Sequence, residues 1–175
     1  MCGIVGYVGE KQAANFLIDG LTKLEYRGYD SAGIAVFDGE KINVAKSVGR
    51  LAALKEKIKN NTPEGVMGIG HTRWATHGRP SDVNSHPHTD CSGKFAIVHN
   101  GIIENFMSLK EELIAKGHKF VSETDTEVVA HLIEDVYEGD FVEAVNKVLN
   151  RIEGSYSLAF MCQDYPDTLI CTKKR

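Results

Sequence analysis

The chain has 175 residues, with 20 lysine and arginine residues against 24 aspartate and glutamate residues, and a formal net charge of −4. Hydrophobic residues make up 42% and charged residues 25%, which is typical of a globular domain and excludes a disordered, collagen-like or coiled-coil chain. Basic residues are scattered, and no apolar run approaches the roughly 20 residues of a membrane span. We therefore expect one domain, residues 1–175, with no nucleic-acid and no membrane partner.

The N-terminus and the cysteine content both indicate a cytoplasmic protein. No basic segment precedes the first apolar stretch, and Glu10–Gln12 interrupts it, so the pattern is not that of a signal peptide. The four cysteines, at positions 2, 91, 162 and 171, form no CxxC pair and are too sparse for a disulfide framework. We expect reduced thiols.

The first part of the chain alternates between strand and helix patterns. The predicted elements are, in order, strand Ile4–Val8, helix Lys11–Arg27, strands Ala32–Phe37 and Ile42–Val48, helix Arg50–Asn60 and strand Val66–Thr72. The Asp38-Gly39 pair between the second and third strands is a strong hairpin signal. Residues 73–93 are rich in His, Pro, Ser and Asp. A structureless stretch of about 20 residues inside a compact domain indicates a lid or a binding loop.

The remaining elements are marked by apolar periodicity and by helix-start signals. Thr124 with Glu127, and Asp140 with Glu143, have capping-box spacing, so a helix should begin at each pair. The predicted elements are strand Phe95–His99, helix Ile103–Lys116, a helix from Thr124 to about Tyr137, a helix from Asp140 to Ile152, and strands Ser155–Cys162 and Thr168–Thr172. Strands in antiparallel pairs, with helices in pairs between them, favour an α+β fold of sheets covered by helical layers.

Cys2 stands directly behind the initiator methionine. Removal of Met1 would leave a thiol and a free α-amine on one residue. A free α-amine has a pKa of about 7.7–8.0 and a thiol about 8.5, so the amine can serve as the base of the thiol near neutral pH. The small residues Gly3 and Gly6 allow close approach to this terminus. A lone cysteine at position 2 is equally compatible with a structural role.

Three further positions carry groups suited to a small polar ligand. Arg73 offers a planar fork for a carboxylate with Trp74 beside it as an apolar cover, although a surface ion pair and a core tryptophan explain either residue alone. Asn100 and Gly101 either present two donors to a developing oxyanion or form a β-turn. Asp125 is either a helix N-cap or a carboxylate that faces an ammonium group.

A zinc-binding module is a further alternative. Five of the seven histidines lie between His71 and His99, with Cys91 among them. Histidine and cysteine are the usual ligands of zinc, but this spacing fits no closed structural site. The prediction is therefore that the chain has no metal site, and no cofactor is expected.

Six segments together resemble the class II glutamine amidotransferases, in their glutamine–fructose-6-phosphate aminotransferase branch. The segments are MCGIVG (1–6), LEYRGYDSAG (24–33), GHTRWATHG (70–78), SHPH (85–88), VHNGIIEN (98–105) and SETDTEVVAHL (122–132). They spread over nearly the whole chain. MCGIVG is shared with other branches, whereas LEYRGYDSAG together with HTRWATHG is specific to this one. The resemblance implies an N-terminal nucleophile hydrolase fold, a four-layer αββα sandwich with two antiparallel sheets between helix layers.

The same resemblance implies an enzyme that hydrolyses L-glutamine to glutamate and ammonia, and it assigns roles to nine residues. Cys2 attacks the side-chain amide, and Asn100 and Gly101 hold the oxyanion. Arg73 and Asp125 bind the α-carboxylate and the α-ammonium group of the substrate. The other implied residues are Thr76 and His77 on a loop that closes the pocket, Trp74 at the gate of an ammonia channel, and Arg27 in support.

The resemblance also implies missing parts. The domain of the family continues further, and two sugar-isomerase domains follow it, so we expect a domain truncated at its C-terminus. Those isomerase domains are the expected partners, since the ammonia serves to convert fructose 6-phosphate into glucosamine 6-phosphate, and a homodimer is left open. The alternative, if Met1 is retained, is a catalytically silent fragment that binds glutamine or mediates assembly.

Overall fold

The computed structural model describes residues 2–175, so the open question of whether Met1 is removed lies outside the described residues. The strands of this part are β1 Gly3–Val8, β2 Ser31–Phe37, β3 Ile42–Val48, β4 Met67–Arg73, β5 His88–Thr89, β6 Phe95–Ile103, β7 Gly154–Cys162 and β8 Leu169–Lys174. Its helices are α1 Ala13–Leu24, α2 Leu51–Ile58, α3 Phe106–Ala115, α4 Thr126–Val136 and α5 Phe141–Leu149, with a 3₁₀ turn at Glu25–Arg27. None of these helices is long and apolar enough to cross a bilayer.

The strands of residues 2–175 pair in two four-stranded antiparallel sheets. The order is β1-β4-β2-β3 in the first sheet and β5-β6-β7-β8 in the second. Gly3 lies opposite Thr72 in the pairing of β1 with β4. Since antiparallel neighbours run in opposite directions, the beginning of β1 lies beside the end of β4, which brings residue 2 close to residues 73 and 74.

Three apolar clusters hold the layers together. One joins α1 and α2 to the first sheet, with Leu17, Leu21 and Leu54 at its centre. Another joins α3, α4 and α5 to the second sheet, around Val129 and Phe141. The third lies between the sheets and contains Ala35, Phe37, Met67, Ile69, Ala96, Val98, Ala159 and Met161. Burial of each large side chain contributes about 1.5–3 kcal/mol. The layer order is helix, sheet, sheet, helix, as predicted.

The hairpin and the start of α5 follow their local sequence signals. β2 and β3 pair as predicted. Gly39 in the connecting turn has a φ of +101°, and the Asp38 carboxylate accepts two backbone N–H groups of the same turn at 2.9 Å. The Asp140 carboxylate caps α5 by accepting the N–H of Glu143 at 2.9 Å. Both features involve residues no more than three positions apart, which is why the sequence pattern predicts them well.

The predicted end of β6 and the predicted start of α3 are wrong. The strand was expected to end at His99 but continues to Ile103, which pairs with Gly154 of β7. Helix α3 therefore begins at Phe106 instead of Ile103. The strand is extended because β7 is long enough to pair with it throughout, a partner that the local sequence does not reveal.

The capping box predicted for α4 does not form. The Glu127 carboxylate accepts the backbone N–H groups of Val121 at 2.9 Å and Ser122 at 2.7 Å. The Thr124 hydroxyl lies 2.9 Å from Nε2 of His88, on β5 of the second sheet. The Glu127 side chain thus bonds to the segment before the helix, and the Thr124 side chain bonds to a distant strand. These contacts replace the two hydrogen bonds of the capping box.

The polar stretch 73–93 is only partly a loop. Asn84, His86 and His88 are buried, and β5 pairs with β6. A Cβ atom on Gly33 would lie 2.0 Å from the carbonyl oxygen of His86, so this part of the stretch packs directly against β2. Residues 74–83 are the part that faces solvent. The region able to act as a lid is therefore about half as long as the sequence suggests.

Candidate active site

A cavity of about 470 Å³ opens where β1 begins, β4 ends and α4 starts. It is lined by all nine residues that the sequence analysis singled out: Cys2, Arg27, Arg73, Trp74, Thr76, His77, Asn100, Gly101 and Asp125. These residues are spread over more than a hundred positions, so the fold alone brings them together. The volume is within the range of roughly 300–1,000 Å³ found for small-molecule sites.

Cys2 immediately precedes β1 and is half-buried. Its Sγ accepts the backbone N–H of Trp74 at 3.0 Å and lies 3.5 Å from the carbonyl oxygen of the same residue. Burial raises the pKa of the Cys2 thiol, and the N–H of Trp74 opposes this only in part. The sulfur is therefore a protonated thiol near neutral pH, and a base is needed to make it a nucleophile.

The Asn100 side chain is held in one orientation by two groups. Its Nδ2 donates to the carbonyl oxygen of Cys2 at 3.1 Å, and its Oδ1 accepts from Nε2 of His71 at 2.9 Å. The same His71 nitrogen lies 2.9 Å from the carbonyl oxygen of His99, which can only accept, so Nε2 carries the proton. His71 thereby directs the Asn100 amide nitrogen toward Cys2. The sequence analysis did not find this role, although His71 lies in the GHTRWATHG segment.

Gly101 lies inside β6, opposite Tyr156. The alternative of an Asn-Gly β-turn at this point is therefore wrong. Its φ is +115°, and a Cβ atom here would lie 2.2 Å from the carbonyl oxygen of Ser155. A larger residue would both strain the backbone and push β7 away, so glycine is required beside Asn100.

Arg73 is the last residue of β4, and its side chain is buried. Its Nη2 donates to the carbonyl oxygens of His77 and Gly78, the latter at 2.9 Å, and Nη1 lies 3.5 Å from the carbonyl oxygen of Arg79. The guanidinium therefore gathers the backbone of residues 77–79 around itself. Because Arg73 lines the cavity and carries a buried positive charge, it is also able to bind an anionic group there.

Asp125 immediately precedes α4 and is buried, but its side chain makes no capping bond to the helix. Its Oδ2 accepts the N–H of Ile103 at 2.8 Å, which ties the start of α4 to the end of β6. Its Oδ1 lies 3.9 Å from Nδ1 of His77 at the cavity. The carboxylate therefore contributes negative charge to the cavity instead of capping the helix.

The exposed side of the cavity is formed by residues 74–79, here called the loop side. Trp74 is 51% exposed and meets the ring of Tyr29 edge-on, with centroids 5.7 Å apart. The Asp30 carboxylate accepts the N–H of Ala75 and holds the loop at its beginning. The sequence analysis missed Asp30, whose position in the LEYRGYDSAG segment is the signal that could have found it.

Thr76, His77 and Arg27 also line the cavity. Oγ1 of Thr76 lies 3.3 Å from Nδ1 of His77, and the His77 ring packs edge-on against Phe106 at 5.2 Å. Arg27 ends the 3₁₀ turn that follows α1. A Cβ atom on the next residue, Gly28, would lie 2.7 Å from the backbone of Arg73, and this close approach brings Arg27 to the cavity.

Four buried histidines, His71, His86, His88 and His99, lie at the cavity, and His86 and His99 are part of its lining. The rings of His71 and His86 stack with centroids 4.1 Å apart, and Nδ1 of His99 lies 2.9 Å from Oγ1 of Thr126. Burial lowers the pKa of His71 to about 3 and of His99 to about 4, and it holds the pKa values of His86 and His88 well below their usual range. All four are neutral at pH 7, and they form a polar layer without net charge.

The alternative of a zinc-binding module on the histidine-rich stretch finds no support in the geometry of these residues. Among residues 2–175, no histidine from His71 to His99 belongs to a group of three or more metal-ligating side chains. Nε2 of His88 lies 2.9 Å from Oγ1 of Thr124, and Nε2 of His71 lies 2.9 Å from Oδ1 of Asn100. The Cys91 thiol lies 3.5 Å from Nδ1 of His131, a residue outside that stretch.

Comparison with known proteins identifies the family. A family model described as a glutamine amidotransferase domain matches residues 71–175, more than half of the chain. The chain belongs to the glutamine amidotransferase family. It is 60% identical over 174 residues to a glutamine–fructose-6-phosphate aminotransferase (isomerizing) of Caldanaerobacter subterraneus subsp. tengcongensis, covering 99% of the chain and 29% of the relative. A protein of the same name from Thermococcus kodakarensis is 56% identical over 171 residues, covering 97% of the chain and 28% of the relative.

A solved structure of similar fold supports the same family. The glutamine phosphoribosylpyrophosphate amidotransferase from B. subtilis, in complex with ADP and GMP, has a TM-score of 0.80 and 30% sequence identity. The match covers 93% of this chain and 35% of the solved one. The predicted family and the predicted N-terminal nucleophile fold are confirmed. The chain spans less than a third of the length of the curated relatives it matches.

Proposed function

We propose that this amidotransferase domain hydrolyses L-glutamine to L-glutamate and ammonia through a γ-glutamyl thioester on Cys2. The observation that carries the proposal is the convergence of a thiol, an oriented amide, a buried cation and a buried carboxylate on one cavity. Glutamine presents an amide, an α-carboxylate and an α-ammonium group, and each has a matching partner there. The names of the relatives support glutamine as the source of nitrogen.

Substrate binding would use both charged side chains. Arg73 would pair with the α-carboxylate and Asp125 with the α-ammonium group. Nη2 of Arg73 donates to loop carbonyls in this structure, and a carboxylate is the stronger acceptor, because charge-assisted hydrogen bonds are about twice as strong as neutral ones. Glutamine would therefore rearrange residues 77–79 as it binds, and Thr76 and His77 would close over it.

In the first chemical step, Sγ of Cys2 forms a bond to the side-chain carbonyl carbon of glutamine, and the thiol proton passes to a base. The raised pKa of the buried Cys2 thiol makes that base necessary near neutral pH. We assign the role to the α-amine that Cys2 carries after removal of Met1. Its ordinary pKa of about 7.7–8.0 suits proton transfer at that pH.

The intermediate carries a negative charge on the former carbonyl oxygen. Nδ2 of Asn100 has two hydrogens, one of which donates to the Cys2 carbonyl at 3.1 Å, and the other would stabilise this oxyanion together with the N–H of Gly101. The C–N bond then breaks, and the nitrogen takes the proton from the base and leaves as ammonia. Water adds to the thioester, the C–S bond breaks, and glutamate and the Cys2 thiol are released.

The ammonia would be used elsewhere in a longer protein. The relatives are about three and a half times as long as this chain and are named as aminotransferases of fructose 6-phosphate. We infer that sugar-isomerase domains receive the ammonia to make glucosamine 6-phosphate, that Trp74 lies at the gate between the two sites, and that Arg27 supports the N-terminus. Residues 1–175 would then be an incomplete glutaminase domain. We also propose that the protein forms a homodimer and lies in the cytoplasm, where the Cys2 thiol stays reduced.

Replacing the nucleophile tests the proposal. Cys2→Ala should abolish glutamate formation from glutamine, measured with a coupled glutamate dehydrogenase assay. Cys171→Ser, which removes an exposed thiol of β8 outside the lining of the cavity, should retain the wild-type rate. Glutamate release by Cys2→Ala at the wild-type rate would overturn the thioester mechanism.

Intact mass spectrometry separates a working site from a silent fragment. After incubation with an electrophilic glutamine analogue, the wild-type chain should lack one methionine and carry a single adduct, and Cys2→Ala should carry none. Retained methionine without adduct, together with a glutamine-dependent rise in Tm but no glutamate, would instead identify a silent glutamine-binding fragment.

A further inference from the structure

A second group of reactive side chains lies around helix α4, apart from the cavity. Cys91 is in the β5–β6 connection, His118 follows α3, and His131 and Glu134 lie three positions apart on α4. One ligand atom from each of the four residues lies within 4.8 Å of all the others. None of the four lines the candidate active site, so the mechanism proposed above does not use them.

Four of the six distances between these atoms are close to those of a tetrahedral metal site. Nδ1 of His131 lies 3.5 Å from Sγ of Cys91, 3.3 Å from Nδ1 of His118 and 3.6 Å from Oε2 of Glu134. The His118 nitrogen lies 3.1 Å from the same carboxylate oxygen. A tetrahedral zinc ion with bonds of about 2.0–2.1 Å to nitrogen or oxygen and 2.3 Å to sulfur separates its ligands by roughly 3.3–3.6 Å.

Neighbouring groups already orient the ligands. The Glu127 carboxylate lies 3.1 Å from Nε2 of His131, so this nitrogen donates and Nδ1 presents its lone pair to the cluster. Both residues are buried. The N–H of Lys119 points at Sγ of Cys91 from 3.4 Å, which is the way backbone groups stabilise a thiolate. In zinc sites, the ring nitrogen of a ligating histidine that does not face the metal often donates to a carboxylate, as Nε2 of His131 does here.

An arrangement without a metal explains only part of the geometry. A protonated His118 between Glu134 and Asp135 would account for the two carboxylates near its ring, at 3.1 Å and 3.7 Å. The lone pair of His131 would then be met by the Cys91 S–H, a weak donor, at 3.5 Å, with the His118 nitrogen also facing it at 3.3 Å. A cation accounts for all four groups at once, because each of them then donates an electron pair to it.

We propose that Cys91, His118, His131 and Glu134 bind one Zn²⁺ ion in a closed, four-coordinate structural site. Four protein ligands leave no position for substrate, so the ion would stabilise the fold without taking part in catalysis. It would fasten the β5–β6 connection and the α3–α4 connection to helix α4. The prediction of no metal site rested on the spacing of the histidines from His71 to His99. The four ligands proposed here are separated by 26, 12 and two residues and match no short motif.

Zinc content and thermal stability test the proposal on the whole 175-residue chain. The Cys2→Ala background removes the other thiol able to bind zinc near a histidine-lined cavity. In that background the untagged protein should take up one zinc ion per chain, measured by elemental analysis after dialysis, and its Tm should rise with added zinc. The additional Cys91→Ser or His118→Gln substitution should abolish both effects, and Cys171→Ser should leave both unchanged.

Cobalt provides an independent readout of the ligand set. Co²⁺ bound in place of zinc should give the intense visible bands of a tetrahedral site and a thiolate-to-metal charge-transfer band in the near ultraviolet. The charge-transfer band should vanish in Cys91→Ser. Failure of the Cys2→Ala protein to bind either ion, or equal binding by Cys91→Ser and His118→Gln, would overturn the proposal. Neither outcome depends on glutamine hydrolysis.

Discussion

The two sides of the cavity are built in different ways. The strand side is formed by Asn100 and Gly101 of β6 and by Asp125 directly before α4, and the hydrogen bond from His71 of β4 to Asn100 crosses from one sheet to the other. On the loop side, residues 74–79 face solvent, and Trp74 is 51% exposed. In the proposed reaction the strand side faces the developing charge, and the loop side covers the substrate.

The difference follows from what each task requires. Stabilising an oxyanion needs donors that are fixed before the reaction, since any reorganisation adds to the barrier. A substrate can enter and leave the cavity only if the segment that covers it moves at a small cost in free energy. The loop side is anchored mainly by Arg73 and Asp30, which bond to its backbone. Changes at the oxyanion donors Asn100 and Gly101 should therefore lower kcat, and changes on the loop side should raise KM.

The largest effect is expected at the oxyanion donor. Asn100→Ala should lower kcat by about 10²–10³-fold with little change in KM, because one donor to the transition state is lost. Steady-state glutaminase kinetics measure this. Asn105→Ala, a change to another asparagine that bonds backbone groups of residues 151 and 153, should have no such effect. A loss confined to KM for Asn100→Ala would contradict the division between the two sides.

The buried histidines should make the fold sensitive to acid. Their pKa values are lowered in the folded state, so the unfolded chain binds more protons, and the free energy of unfolding falls as the pH drops below about 6.5. Each such histidine contributes about 1.4 kcal/mol per pH unit. Urea denaturation between pH 7 and pH 5 measures the slope. A free energy of unfolding that stays constant from pH 7 to pH 5 would show that these histidines are not neutral in the folded protein.

A smaller effect on kcat is expected from the residue that orients Asn100. His71→Leu removes one hydrogen bond to the amide and should lower kcat about tenfold, the equivalent of about 1.4 kcal/mol. His71→Gln, which keeps an N–H donor, should recover part of the rate. His88→Gln is the matched control, because His88 is equally buried but contacts Thr124 and not Asn100. Equal losses in all three variants would indicate a purely structural effect.

The smallest effect is expected on the loop side. Asp30→Ala removes the acceptor for the N–H of Ala75 and should raise KM for glutamine about fivefold, since a hydrogen bond contributes about 1 kcal/mol. The value of kcat should change less. Asp38→Ala, in the distant β2–β3 turn, is the control and should leave KM unchanged. A lower kcat with unchanged KM for Asp30→Ala would show that the loop takes part in the chemical step.

Local patterns predicted the fold more accurately where the contacts themselves are local. The Asp38-Gly39 turn and the Asp140 cap each involve neighbouring residues, and both formed as expected. The capping box of Glu127 failed because its carboxylate found partners before the helix. The end of β6 was missed because strand length depends on the pairing strand, β7, which lies more than fifty positions away in the chain.

The amino-acid sequence alone is enough to indicate the fold class, the family resemblance and the nine residues around the cavity, because their types and local contexts are readable along the chain. Their geometry depends on the tertiary structure. Asn100 faces Cys2 across 98 positions, and the histidine that orients it is 29 positions away. The cluster around Cys91 likewise forms only when the β5–β6 connection and the α3–α4 connection both pack against α4. Contacts of this kind are set by the packing of sheets and helices against one another, which no local pattern encodes.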